Sequence, residues 1–338
     1  MNNKIGMEEL EYGVCIRCYT YNQSAYILDA LNSFVIQKTS FPYVIIVVDD
    51  ASTDGTRRVI SDFVCTQFDI KDSSIAYQKE TEHANIIYAR HVSNKNCYIA
   101  SVFLKRNLYK EASLKSDIVD EWRNKSKYEA LCEGDDWWLT ENKLQTQYDT
   151  LEEHLEVDMC ACGTICYRDG KAIKEISPSS TNRTLTVNET ILGGGGFLGT
   201  NSLMCRVSLL HDNFQFWRFF RLDYFLQIHG ALRGGIFYLS DCMSAYRLSS
   251  NGSWTKTFKK NYNYWYFHRR KVIYTLELLN IETNYIHKQI IDQKISELYI
   301  GLFNFGFKSS VFHDAIKQMS LSRKIAYIIN VCYGLLRR

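Results

Sequence analysis

The feature that most limits the fold of this chain is VIIVV at positions 44–48, five consecutive β-branched residues stopped by Asp49 and Asp50. A run of this composition reads as a strand buried on both faces, as in a sheet covered by helices on each side. The surrounding sequence agrees. GVCIRC (13–18) reads as the strand before it, and SAYILDALNSFVIQ (24–37) as an amphipathic helix between the two, with Tyr26, Ile27, Ala30, Leu31, Phe34 and Val35 at three- and four-residue spacing. STDGTRRVISDFV opens with residues suited to a turn and a helix cap, then continues as a helix. Strands alternating with helices predict a mostly parallel, Rossmann-like α/β sheet.

Further along, SIAYQ (74–78) is expected as a third strand, and positions 81–126 read as polar and irregular. YEALC (128–132) is expected as the fourth strand and ENKLQTQYDTLEEH (141–154) as a helix. A hairpin is expected over 157–176, turning at Arg168, Asp169 and Gly170. The glycine run 193–196 reads as a connection or hinge before another strand, and RLDYFLQIHGALRGG (221–235) as a helix ended by glycines, followed by the strand IFYLSD. Positions 260–338 read as mostly helical. The expected division is a catalytic-type domain over 1–255 and a helical C-terminal region over 256–338.

Composition narrows the classes. The 338 residues are 46% hydrophobic, enough for a sizeable core, and 40 basic against 37 acidic residues leave a formal charge of +3, which gives no general attraction to nucleic acid. No apolar stretch approaches the length of a membrane span, and the first residues lack the apolar segment of a signal peptide, so a cytoplasmic location is expected. The 11 cysteines lack the dense spacing of a secreted disulfide scaffold. Cys15 and Cys18, and Cys160, Cys162 and Cys166, have spacings that could hold zinc, but both groups lie in apolar runs where cysteine behaves as a small core residue.

The chemistry concentrates in EGDDWW (133–138), where acids crowd together just past a strand. Closely spaced carboxylates are unfavourable unless something positive lies between them. Open α/β sheets gather ligands at the carboxyl ends of their strands, which is where this segment and Asp49–Asp50 both fall. A nucleotide sugar presents a base edge, ribose hydroxyls and a charged diphosphate, and so needs acceptors beside the nucleoside and a cation beside the phosphates.

Taken in order, Tyr21 and Asn22 after the first strand, VVDDASTDGT (47–56), LCEGDDWWLTENKLQTQ (131–147) and RLDYFLQIHGALRGGIFYLSDCMSAYR (221–247) resemble inverting glycosyltransferase family 2, over roughly residues 13–255. The resemblance implies a GT-A fold and transfer of a sugar, with inversion, from a nucleoside-diphosphate sugar, UDP type favoured, to a glycan or glycolipid acceptor in bacterial surface polysaccharide synthesis. It implies that Asp50, with Asp49 beside it, accepts from the base. Asp135 reaches the ribose, and Asp136 coordinates Mg²⁺ or Mn²⁺ on the diphosphate. Tyr19 lines the base together with Tyr21 and Asn22, and Tyr246, Arg247 and Trp254 close over the phosphates or acceptor. Asp223 is the implied catalytic base, with Asp212 and Asp241 as rivals. The sequence departs from the family pattern at RCYTYN (17–22) and HVSNKN (91–96), so Arg90, His91 and Lys95 are candidates for a further nucleotide contact. Basic and aromatic residues over 261–279 and 322–338 suit helices that lie at a membrane surface, which would give peripheral association at the inner face of the cell membrane. Two other readings share these features: a sugar nucleotidyltransferase, and a carbohydrate-binding protein without turnover.

Overall fold

The computed structural model describes residues 11–248 and 262–306. The strands are β1 (Tyr12–Thr20), β2 (Tyr43–Asp49), β3 (Tyr77–Glu80), β4 (Ala84–Arg90), β5 (Cys97–Leu104), β6 (Ser126–Leu131), β7 (Trp137–Trp138), β8 (Met159–Arg168), β9 (Lys171–Ile176), β10 (Arg183–Leu185), β11 (Met204–Arg206) and β12 (Ile236–Arg247). They form one mixed sheet in the order β10-β12-β8-β11-β6-β1-β2-β5-β4-β3, with β7 on β12 and β9 on β8. The centre, β6-β1-β2-β5, is parallel, and β8 and β12 are parallel to each other; the remaining pairs are antiparallel.

The VIIVV run is the middle of this centre, and every residue of β2 is buried. Its alternation splits the core in two. Ile45 and Val47 join Val14, Ile16 and Cys18 on one face, while Val44, Ile46 and Val48 join Cys15, Ala100 and Val102 on the other. Each such side chain, fully withdrawn from water, contributes about 1.5–3 kcal/mol. Helix α1 (Ile27–Val35) covers the first face with Ile27, Ala30, Leu31 and Phe34, a stripe at helical period, and α2 (Thr56–Gln67) adds Ile60, Phe63 and Val64. Helix α3 (Ala112–Arg123) covers the other face through Val119 and Trp122. Helix α4 (Lys143–Glu153) follows the acidic segment, its buried Lys143 ammonium donating to Gln147 at 2.6 Å over the Trp138 ring.

Two expectations are corrected. SIAYQ is not a strand of the parallel centre: the strand there is β3, fully exposed and antiparallel to β4 at the sheet's edge. The stretch 81–126 is not irregular, for it holds β4, β5 and α3, and β5 is the parallel neighbour of β2. Its helix, ASLKSDIVDEWR, buries little beyond Val119 and Trp122, too thin a stripe for the pattern to announce itself. The glycine run is a 3-10 turn, Gly194–Gly196, following a helix over Val187–Gly193. The hairpin forms as expected, Asp169 and Gly170 taking the two positive φ values, 50° and 75°, that a two-residue turn with matching twist requires.

By its internal contacts the chain forms two compact units: Met1–Leu185, Gly196–Asp212 and Gly230–Ser253 make one, and Thr186–Gly195, Asn213–His229 and Trp254–Arg338 the other. The described residues of the second are mostly helical. Glu282, near the end of the helix Tyr262–Glu282, accepts from the backbone N–H groups of Gln215 and Phe216 and so caps the helix Gln215–Phe219. The helix Lys288–Gly306 reaches back through Lys294, which donates to the Leu192 carbonyl at 2.6 Å. Among the described residues no helix is long and apolar enough to cross a membrane.

Candidate active site

The site is built on the carboxyl ends of β2, β1 and β6, three adjacent parallel strands of the first unit. The end of β1 lies in the middle and holds the flanking loops. Asp50 N donates to the Thr20 carbonyl at 3.0 Å from one side, and Gly134 N donates to the Tyr19 carbonyl at 3.0 Å from the other. The acidic loop can come this close only because position 134 is glycine. A Cβ there would meet Thr20 Oγ1 and Gln23 Oε1, each at 2.7 Å.

On the β2 side, the loops 21–24 and 51–56 are laced together. Asn22, at φ 53°, donates its backbone N–H to Ser52 Oγ and accepts from Thr53 N at 2.8 Å. Gln23 N donates to Thr56 Oγ1, while Asp54 accepts from Ser24 N on one oxygen and from Thr56 on the other. Burial raises the Asp54 carboxyl, but these hydrogen bonds outweigh it and hold it down at about 2. Asp49 is buried and accepts from Ser52 N and Arg57 Nε, both at 3.3 Å, so it closes the turn into α2. Asp50 is held differently. Its Oδ1 accepts from Leu108 N at 2.6 Å, its Oδ2 from Lys115 Nζ at 3.0 Å, and its carbonyl from Asn107 Nδ2. Lys115 also lies 4.6 Å from the centre of the Tyr19 ring.

On the β6 side, Asp136 is 2% exposed, with Oδ1 accepting from Arg247 N at 2.8 Å. Burial, and then the charge of Asp135, push its carboxyl well above the usual carboxylate range, and Glu133 adds to this. The Arg247 side chain is clamped: Nε donates to the Asp135 carbonyl, Nη2 donates to Asp29 of α1 at 2.6 Å, and the guanidinium lies between the rings of Tyr26 and Trp137, 4.7 and 4.6 Å from their centres. Trp138, on β7, donates its indole N–H to the Asn201 carbonyl and packs edge-on against Phe34, which makes it a core residue. Beneath the site, Glu129 is fully enclosed between Arg17 and Arg123, at 3.0 and 2.6 Å. Burial opposes its charge, but the two guanidinium groups hold its carboxyl below the ordinary value.

Of the expected residues, Asn22, Asp50, Asp135 and Asp136 lie on these loops, Tyr19, Asp49 and Arg247 at the ends of β1, β2 and β12, and Tyr21 is exposed. Asp223 starts the helix Asp223–Ala231 and belongs to the second unit. Trp254 lies outside the described residues. Arg90, His91 and Lys95 are corrected: they sit at the turn from β4 into β5, and since β5 runs parallel to β2, this turn is at the amino-terminal edge, opposite Asp50. There His91 Nδ1 accepts from Ser93 N and Asn94 N, and Asn94 donates to Val35 and Gln37 carbonyls, a structural turn. The cation beside Asp50 is Lys115 instead, and Asn107, Leu108, Asp29 and Tyr26 are further residues that the sequence did not single out. The thiols of Cys15, Cys18, Cys160, Cys162 and Cys166 are all buried.

This arrangement has counterparts. The family model described as Glycosyl transferase family 2 matches residues 16–97, which take in the second half of β1, β2 and both loops of the β2 side. Uncharacterised proteins of Mycobacterium bovis and Mycobacterium tuberculosis are each 28% identical over 261 residues, 77% of this chain and 66% of their own length. Among solved structures, S. aureus TarS in complex with UDP superposes with a TM-score of 0.52 at 17% identity, and TarS in complex with UDP-GlcNAc with 0.53 at 16%; each comparison covers 93% of this chain and 78% of that one. At such identity the likeness to TarS concerns the fold alone. The matched segment forms the β2 side of the site, so that part of the chain is similar to glycosyl transferase family 2, and the sheet agrees with these neighbours in having the GT-A fold.

Proposed function

We propose that this protein is a metal-dependent inverting glycosyltransferase, moving one sugar from a nucleoside-diphosphate sugar to a saccharide or lipid-linked glycan acceptor in surface polysaccharide synthesis at the inner face of the cell membrane. One observation carries the donor half of this reading: Asp136, almost wholly buried and crowded by Asp135 and Glu133, lies on the loop that Gly134 ties to Tyr19 of β1, one residue from Thr20, which holds the Asp50 loop. A buried carboxylate among acids is costly alone and favourable with a cation.

Mg²⁺ or Mn²⁺ fits this donor set. Asp136 and Asp135 offer hard oxygen ligands, and although among the described residues no three acidic, His or Cys groups are arranged to hold a metal ion by themselves, a divalent ion that shares a diphosphate uses only one or two carboxylates. Such an ion supplies Lewis-acid neutralisation of the charge that grows on the departing nucleoside diphosphate. The chain's own residues do the rest. Asp50 and Asn22 present acceptors to the base, with UDP favoured because TarS, the structural neighbour, is seen with UDP and UDP-GlcNAc. Asp135 faces the ribose. Arg247, with its main-chain N–H on Asp136, orients that carboxylate. Asp223 is proposed as the base that takes the proton of the acceptor hydroxyl, on the strength of its place in the segment 221–247. Donor chemistry belongs, in this reading, to the domain expected over residues 1–255.

Calorimetry of UDP binding with Mn²⁺ and with a chelator is the test. The wild type should bind far more tightly with the metal, and Asp136→Ala should lose that difference; equal affinity in the wild type under both conditions would end the metal-dependent reading. Asp223→Asn should leave UDP affinity nearly unchanged and lower transfer by on the order of 10²–10⁴. Undiminished transfer would return Asp223 to a helix-terminal role and direct attention to Asp212 or Asp241.

A further inference from the structure

The second unit carries an exposed face that donor chemistry does not use. On the helix Tyr262–Glu282, Phe267, Tyr274 and Ile281 recur at seven-residue spacing and are 68%, 49% and 55% exposed. Lys271 is exposed and Leu278 half-buried between them. At 100° per residue these five positions fall within an arc of about 80°. The opposite side of the helix is buried through Val272, Ile273, Leu276 and Leu279, so the exposed stripe is not the core-facing side of a loosely placed helix. Phe219, itself 45% exposed, extends the stripe sideways, its ring 5.0 Å from that of Tyr274. In the turn beyond the helix, Tyr285 and Ile286 are exposed as well.

Charge marks what such a face can meet. Lys271 lies on the stripe and the half-buried Arg270 at its edge, while Arg269 faces the buried side against Trp265. Arg218 and Arg221 add exposed cations from the neighbouring segment. Lys271 holds its ammonium 4.3 Å from the Phe220 ring centre and 5.1 Å from that of Phe219, which joins cation and aromatic ring in one surface. Of the two acids on this helix, Glu277 is half-buried at the edge of the stripe and Glu282 is occupied in capping the helix Gln215–Phe219, so cations outnumber acids on this face.

We propose that this aromatic and basic stripe is a docking surface for an anionic lipid bilayer, with Phe267, Tyr274 and Phe219 entering the headgroup boundary and the cations meeting lipid phosphates. It deepens the reading above and rests on it only for why a lipid-linked acceptor would be met there. A second copy of this chain is the poorer occupant, because a two-fold interface would set the cationic cluster against itself. Apolar side chains with flanking Lys and Arg on one helix face match the interfacial mode of membrane binding, and no spanning helix is needed.

The test uses the full chain and vesicles of phosphatidylcholine alone or mixed with phosphatidylglycerol, read by co-sedimentation. The protein should partition onto the mixed vesicles, and added salt should weaken this. Replacing two cations, Lys271→Ser with Arg218→Ser, should lower partitioning roughly 25-fold, since each cation near an anionic surface is worth about a factor of five. Phe267→Ser with Tyr274→Ser should also release the protein, while the binding that remains keeps its preference for the anionic vesicles. UDP-induced thermal stabilisation should be the same in both variants as in the wild type, which confirms that they fold. Absence of binding to the mixed vesicles, or equal binding to both kinds, overturns the proposal. So does a concentration-dependent dimer that Phe267→Ser dissociates. If the vesicles bind the wild type and UDP with Mn²⁺ does not, the donor reading fails and the surface stands.

Discussion

The clearest division of labour among single residues is between acids that are paired and an acid that is not paired by a cation of its own. Glu129 is enclosed by Arg17 and Arg123, and Asp50 by Lys115 and a backbone N–H. Asp136 has the Arg247 main chain but sits beside further negative charge. The first arrangement is a support and the last a seat for a ligand. Removing the middle of the support should therefore be severe: Glu129→Ala leaves two nearly buried guanidinium groups without their shared partner, and unfolding in urea should show a loss of about 3–5 kcal/mol. A loss under about 1 kcal/mol would mean that water replaces the carboxylate and that the network is not sealed. Glu129 was legible only as a residue of a strand, since its partners lie on β1 and α3.

At the scale of elements, the two loops of the β2 side work as one piece because Asn22 and Asp54 each bond across the gap between them. Asp54 gives this a pH signature. Its folded-state carboxyl lies at about 2, below the ordinary 3.8, so its contribution is fully present above the ordinary value and is lost as pH falls through about 2. The side chain is exposed, and screening reduces the contribution to about 1 kcal/mol. Urea midpoints of the wild type and Asp54→Asn should thus differ near neutrality and converge as the pH approaches about 2. A difference that stays constant over that range would assign the effect to packing. The motif VVDDASTDGT showed the turn and the helix after it, yet not that its Asp54 ties down Ser24 of another loop. Two of the missed elements have separate causes: β5 is interrupted by Ser101, and α3 buries so little that its period is hard to see.

For the whole molecule, the thiols report how the chain is held together. All ten cysteines among the described residues are free, and only Cys65 is exposed. Burial pushes the thiols up, Cys97 to about 12, so little reactive thiolate is present. A thiol reagent should modify Cys65 quickly in the native protein, whereas Cys15, Cys18, Cys97, Cys132, Cys160 and Cys205 should react only on unfolding. Reductant should leave the melting temperature unchanged. A drop of several degrees in reductant would show that disulfides carry part of the stability after all. Stability rests instead on the two apolar layers of the sheet.

What the sequence determined by itself is whatever depends on near neighbours. The period of VIIVV and of α1, the Asp169–Gly170 turn and the acids placed directly after β2 and β6 are all set within a few residues, where the chain's own geometry fixes the outcome. Tertiary structure alone decided which distant side chains meet those acids. Lys115 reaches Asp50 from 65 positions away, and Arg247 reaches Asp29 from 218. It also decided that Arg90, His91 and Lys95 face the other edge, because the direction of β5 beside β2 is a matter of strand pairing. Such contacts form only after the intervening chain has closed on itself, and no local pattern records which of many equally charged residues that closure will bring into place.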